Sequence, residues 1–180
     1  MITAVVDTTS TYVDVMMRST PWMQLLTLCH SSRLQVVLPD VVLQETARHW
    51  GAEAREAIKT ANAKIGGLKS SWEKLTAFGI DASSLVDSTP VTDTPDKAKF
   101  EKETREKLMF LGVQVAPLPE HVDINLVLQR DLARQKPFTS TGKGFRDTLV
   151  WESTKQVVAD SHAGDKIFLV TASSTDYCNS

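Results

Sequence analysis

Four short apolar runs, each bounded by polar or turn-forming residues and separated from the next by helix-length stretches, limit this chain to few folds. They are Ile2–Val6 and residues 34–38, 113–117 and 166–171. The first two are rich in β-branched residues and apolar on both faces, the signature of buried parallel strands. Between the first two, residues 11–29 place apolar side chains at helical spacing (Val13, Met16, Met17, then Trp22, Leu25, Leu26, Leu28), and Pro21 suits the first turn of a second helix. A helix is expected from Val41 with Asp40 as its N-cap, continuing over residues 52–78 as a long amphipathic helix or hairpin loosened at Gly66-Gly67. The Ser/Thr/Asp/Pro-rich residues 80–95 read as a mobile connection. Further helices are expected over 97–111, 122–135 and 146–158, with a polar, glycine-bearing loop over 136–145.

This alternation implies right-handed crossovers and an α/β fold, a three-layer α/β/α sandwich around a mostly parallel sheet. Such sheets bind ligands at the carboxyl ends of their strands. At 180 residues the chain suits one domain, 1–180, with a helical insertion around residues 51–111. With 42% hydrophobic and 23% charged residues it is neither disordered nor a disulfide scaffold. No apolar run approaches the roughly 20 residues that span a bilayer, so no membrane association is expected. The start lacks the basic segment of a signal peptide. Cys29 and Cys178 are isolated and read as buried free thiols, which fits a cytoplasmic protein. A net charge of −2 excludes a generic polyanion binder, so any nucleic-acid contact requires locally concentrated basic residues.

Four acidic residues fall where this fold has its mouth. Asp7 follows the first strand, Glu45 lies one to two turns into the helix after the second, Asp147 opens a helix, and Asp176 follows the last strand. Singly, Asp7 and Asp147 would also read as helix caps, Glu45 as a solvated helix residue and Asp176 as a turn residue. Closely packed carboxylates repel one another unless cations neutralise them, and hard oxygen ligands suit Mg²⁺ or Mn²⁺. Lys143 and Arg146 flank the cluster as candidates for gripping phosphate, with Gly142 and Gly144 allowing close backbone approach, and Thr8 stands beside Asp7 as a further substrate-binding candidate. A solvated basic loop is the bland alternative.

Several other patterns fail. Gly142-Lys143-Gly144 lacks the earlier Gly and following Ser or Thr of an NTPase phosphate loop. Glu45 and His49 share a helix face, but no third zinc ligand follows at a supporting spacing. His30, His121 and His162 do not cluster, Glu152 lies nearly opposite Asp147 on a straight helix, and the tryptophans (Trp22, Trp50, Trp72, Trp151) read as core or interface residues.

The chain resembles the PIN domain superfamily over nearly its whole length, and within it the PIN-like DUF4935 group. The motifs carrying the resemblance are Asp7-Thr8-Thr9, Leu38-Pro39 through Glu45, Pro137-Phe138 with Gly142-Lys143-Gly144-Phe145-Arg146-Asp147-Thr148-Leu149-Val150-Trp151-Glu152, and Val170 through Asp176-Tyr177. The third block is the most specific. The resemblance implies a metal-dependent endoribonuclease acting on single-stranded RNA and leaving 5′-phosphate and 3′-hydroxyl ends. Asp7, Glu45, Asp147 and Asp176 would be its catalytic residues and hold one or two Mg²⁺ or Mn²⁺ ions, which in two-metal sites lie about 3.5–4 Å apart.

Three departures stand out: Thr9 replaces the family's Asn, and Ala172 and Ser173 replace polar Asn positions, which should loosen the support around the carboxylates. Relatives usually continue with a helix and an edge strand, so a trimmed C-terminal edge is also an expectation. The same residues are compatible with a silent PIN-like module binding a protein partner, and with a toxin held by an antitoxin or serving in phage defence. The sequence leaves self-association into a homo-oligomer open.

Overall fold

A computed structural model describes residues 1–12, 14, 16–80, 89–138, 143–173 and 177. Its strands are β1 (Ile2–Val6), β2 (Gln35–Pro39), β3 (Gln114–Ala116) and β4 (Lys166–Val170). Its helices are α1 (Thr8–Tyr12), α2 (Thr20–His30), α3 (Asp40–Ala77), α4 (Lys97–Phe110), α5 (Ile124–Leu132) and α6 (Phe145–Ala159). The strands form one parallel sheet in the order β3-β2-β1-β4, with Val5 beside Val37 and Val6 beside Val170. Helices cover it as an α/β/α sandwich, as the strand–helix alternation requires.

Neighbouring strand residues point to opposite faces, and here both faces are apolar. Val6, Val36 and Leu38 join α2, α3 and α4 in one cluster, while Val5, Val37 and Ala116 form a second. α6 reaches both, through Val150 and Val157. Trp22 is buried in the first cluster, and its indole donates to the Ser10 carbonyl at 3.2 Å, tying α2 to α1.

The topology places the site. From β1 the chain steps to β2 and then β3 on one side, but the last crossover delivers β4 to the other side of β1. The carboxyl ends of β1 and β4 thus lie side by side, and the segments that leave them meet around Asp7.

Several expectations need correction. The second helix expected near Pro21 is α2, which begins at Thr20 with Pro21 in its first turn, but the first ends already at Tyr12, with Met17 at φ 52° between them. Val13 and Cys178 lie outside the described residues; Cys29 is a buried free thiol. Asp40 is not an N-cap. Pro39 takes that position, and the Asp40 carboxylate instead accepts from Gln44 at 2.7 Å and pairs with Arg105 of α4. α3 runs unbroken through Gly66-Gly67 for 38 residues, about 57 Å at 1.5 Å per residue. Each glycine costs only about 1 kcal/mol relative to alanine, and strong helix formers flank the pair. Buried positions of α3 end at Gly51, so residues 52–77 extend away from the core. Trp50 stacks on Phe100 at 4.4 Å, where α4 returns along α3. Of the expected connection 80–95, residues 81–88 lie outside the described set, and Val91 is held through both its backbone polar groups by Asn62. α5 is shorter than expected: Asp123 caps its start, accepting from Asn125 and Leu126, and the chain leaves helical geometry at Arg134, with φ 52°.

Leu43 is fully buried where α3 meets the first cluster. Leu43→Ala should cost about 2–5 kcal/mol through lost burial and a residual cavity, measured by urea denaturation.

Candidate active site

Asp7 is the most constrained polar residue of the chain. Its position after β1 is fixed by its own N–H, which donates to the Val170 carbonyl at 2.9 Å, and its side chain is 0% exposed. A buried carboxylate must be hydrogen-bonded or suffer a large desolvation penalty. Here four donors meet it. Oδ1 accepts from the Thr8 N–H at 2.7 Å and the Tyr177 hydroxyl at 3.0 Å, and Oδ2 from the hydroxyls of Thr9 at 2.8 Å and Thr171 at 2.9 Å. The backbone N–H groups of Ala172 and Ser173 each donate to one of those threonine oxygens at 3.0 Å. A hydroxyl has one proton; once its oxygen accepts from the backbone, that proton can be directed at Asp7. The expectation of loosened support is thus corrected: Thr9 supplies a donor where Asn was usual, and Ala172 and Ser173 act through their backbones.

Glu45 comes from α3 and is only 8% exposed, which removes the reading of a solvated helix residue. Its placement depends on the turn below it. The Thr46 hydroxyl donates to the Val42 carbonyl and lies 2.8 Å from that of Thr11, so α1 and α3 are joined by a buried pair of threonines. Glu45 Oε1 pairs with the Arg146 guanidinium, lies 3.6 Å from that of Arg48, and accepts a long 3.4 Å bond from Tyr12. Tyr12 in turn packs on His49 with ring centroids 3.8 Å apart. Burial and the Arg48 charge lower the His49 pKa, with Glu53 opposing them, so the imidazole is neutral near pH 7.

Asp147 sits in the first turn of α6, whose entry is built by Gly144. Gly144 has φ 130°, and a Cβ there would lie 2.6 Å from the Pro137 carbonyl oxygen and 2.7 Å from Phe138 Cα. This explains why Pro137-Phe138 and Gly144 occur together: the backbone of one packs directly on the other. The Gly144 carbonyl then accepts from both the N–H and the hydroxyl of Thr148. Gly142 lies outside the described residues.

Glu45 and Asp147 line one open cleft of about 770 Å³ together with Thr8, Tyr12, Lys143 and Arg146, and Asp7 lies beneath it through its bonds to Thr8 and Thr9. Lys143 is exposed at the rim, whereas Arg146 is engaged with Glu45. Asp176 lies outside the described residues. Among those described, no three of the His, Cys, Asp and Glu side chains gather closely enough to form a metal cage. The donor set is nonetheless all carboxylate oxygen, the chemistry that Mg²⁺ and Mn²⁺ require.

Thr171, Tyr177, Tyr12 and Arg48 were not singled out from the sequence. Thr171 directly follows β4, so the rule that ligands meet the carboxyl ends of strands was a usable signal for it, whereas Tyr177 lies seven residues past the end of that strand. Nothing in the spacing of Tyr12 or Arg48 set them apart.

Gly144→Ala should destabilise the fold by at least about 1–3 kcal/mol from backbone conformation alone, with the clash against Pro137 added. Thermal unfolding would register it, and an unchanged melting temperature would refute the close packing described for this turn.

A model of the PIN domain family matches residues 5–177, a span that takes in Asp7, Glu45, Asp147 and Asp176. No curated protein and no solved structure matches the chain significantly. PIN domains are generally nucleases and typically use divalent metal ions. Among the described residues no helix is long and apolar enough to cross a membrane. With the family's model covering nearly all of it, and with its parallel sheet and helical layers as that fold requires, the chain belongs to the PIN domain family.

Proposed function

We propose that this PIN domain is an endoribonuclease that hydrolyses phosphodiester bonds in the cleft above Asp7, assisted by Mg²⁺ or Mn²⁺. One observation carries the reading: Glu45 and Asp147 line one cleft with Lys143 at its rim, and the buried Asp7 is fixed directly beneath it at the carboxyl edge of the sheet. That constraint on Asp7 is expected of a group that must keep one orientation for chemistry.

Asp7, Glu45, Asp147 and Asp176 would hold the ion or ions. Bound there, a divalent cation lowers the pKa of water and offsets charge on the phosphate. Water adds to phosphorus as the bond to the 3′-oxygen breaks, leaving a 5′-phosphate and a 3′-hydroxyl. Lys143 at the rim would meet a phosphate oxygen, and Thr8 would line the path of the strand. Arg146 balances the Glu45 charge and keeps that carboxylate in position; release from Glu45 would turn its guanidinium towards phosphate.

The Pro137-Phe138 and Gly144 packing, together with the Phe145-Arg146-Asp147 turn, supports placing the chain in the PIN-like DUF4935 group. We treat 1–180 as one PIN-like domain, with the distal part of α3 and α4 as a helical insertion around 51–111. A silent module that binds a protein partner is the second reading, favoured by the Arg146–Glu45 pair and by the donor-saturated oxygens of Asp7.

Labelled single-stranded RNA and DNA incubated with Mg²⁺, Mn²⁺ or chelator decide between them. Cleavage of RNA should require metal and stop with chelator. Asp147→Asn should lower the rate by more than about a hundredfold, the upper range for losing merely an outer support of a metal site, with its circular dichroism unchanged. Asp7→Asn should lose activity too, but its amide would face hydroxyl or N–H donors and cost about 1–3 kcal/mol of stability as well. Undiminished cleavage by pure Asp147→Asn protein would sink the assignment.

A further inference from the structure

A second cavity, of about 500 Å³, adjoins the site and is lined by Arg130, Arg134, Lys136, Pro137, Trp151 and Tyr177 among others. We propose that it holds one nucleotide of a single-stranded substrate, beside the nucleotide whose phosphate lies in the cleft. The proposal rests on the nuclease reading and deepens it by assigning the residues that meet the adjoining nucleotide.

Three features carry it. The first is charge. The chain is net negative at −2, yet this cavity gathers three cationic side chains, and no carboxylate lines it among the described residues. Arg134 contacts Asp131 at 3.1 Å and Arg130 stands 4.0 Å from Glu152, contacts that aim the guanidinium groups without adding a carboxylate to the lining. In the cleft itself, by contrast, Arg146 is committed to Glu45, which leaves Lys143 as the cation at the rim. Further backbone affinity for a polyanion therefore has to come from outside the cleft, and this adjoining cavity offers three cations.

The second feature is the pair of rings. Trp151 and Tyr177 lie with centroids 6.3 Å apart at 34°, forming an aromatic corner in which both are half-buried. Cations beside aromatic rings are the combination that binds single strands, where phosphate meets the charges and an unpaired base stacks on the rings. A base inside a duplex presents no free face, so the corner discriminates against double strands. Trp151, expected as a core or interface residue, is half-buried on the cavity wall.

The third feature is continuity with the site. The Tyr177 ring lines the cavity while its hydroxyl donates to Asp7, and the Pro137 carbonyl, on the same wall, abuts Gly144 of the cleft. One strand can pass from the cleft to the cavity across that shared wall.

The test is fluorescence anisotropy of a labelled single-stranded RNA, and of the matching duplex, in chelator so that nothing is cut. Arg134 and Lys136 are exposed, so R134Q/K136Q should fold normally. It should bind the single strand about tenfold more weakly, and its slope of log affinity against log salt should be shallower by about 1.4, or about 0.7 per lost phosphate contact. W151L should lose about fivefold or more with the slope unchanged, as stacking predicts; a thermal melt checks its fold. The duplex should bind more weakly than the single strand to the wild type. If R134Q/K136Q matches the wild type in affinity and slope while RNA is still cleaved with metal, the cavity proposal is overturned and the nuclease reading stands. If the wild type neither binds nor cleaves the strand, both are overturned.

Discussion

A buried carboxylate is tolerable only where every lone pair has an answer, and Asp7 sets that demand for the whole carboxyl edge of this sheet. Its four donors come from α1 and from the segment after β4, elements more than 160 residues apart in sequence. The β1–β4 register must be correct for Thr171 to reach Oδ2, and the turn into α1 must be tight for Thr8 and Thr9 to reach both oxygens. A slip of one residue between β1 and β4 would invert one strand's faces and take the Thr171 and Tyr177 hydroxyls away from Asp7. The hydrogen bonds around this side chain thus specify strand pairing as much as they prepare chemistry.

What could be read from the sequence follows the length scale of the interaction responsible. β1 and β2 appear as apolar runs because nearly every position is desolvated, and the partly exposed edge strands β3 and β4 were legible from apolar residues as well, with small errors at the strand ends. Asp7, Glu45 and Asp147 were legible because strand ends and helix starts mark the mouth of a parallel sheet. Asp40 was misjudged because capping depends on the backbone of Pro39 and on Arg105 some 65 residues away. Gly66-Gly67 misled for the opposite reason: local propensity favours a break, but the flanking residues are strong enough to carry the helix past it. Thr171 and Tyr177 acquire meaning only when β4 lies beside β1, which no local pattern announces.

The substitutions at Thr9, Ala172 and Ser173 carry a related lesson. Judged by residue type they remove amides from the site. Judged by atoms, a threonine hydroxyl oriented by a backbone N–H delivers the same proton to Asp7, and backbone N–H groups are present whatever the side chain. Support that runs through the backbone tolerates drift at its own positions, so a departure from motif there says little about whether the carboxylate is held.

Electrostatics connects the cleft to the wall behind it. Glu45 and Arg146 neutralise one another at the mouth, so the cleft offers little net attraction to a polyanion, and a cation arriving at Glu45 must displace a guanidinium already in place. That competition has two consequences in the proposed nuclease. An ion held by Glu45 would free Arg146 to face the cleft, so the arginine's charge would be recovered along with that of the ion. Without the ion, the strand would be met first by Arg130, Arg134 and Lys136, which line a cavity apart from the carboxylates of the cleft. Separating cations from carboxylates in this way would let a protein of net negative charge meet a polyanion without first presenting it with like charge.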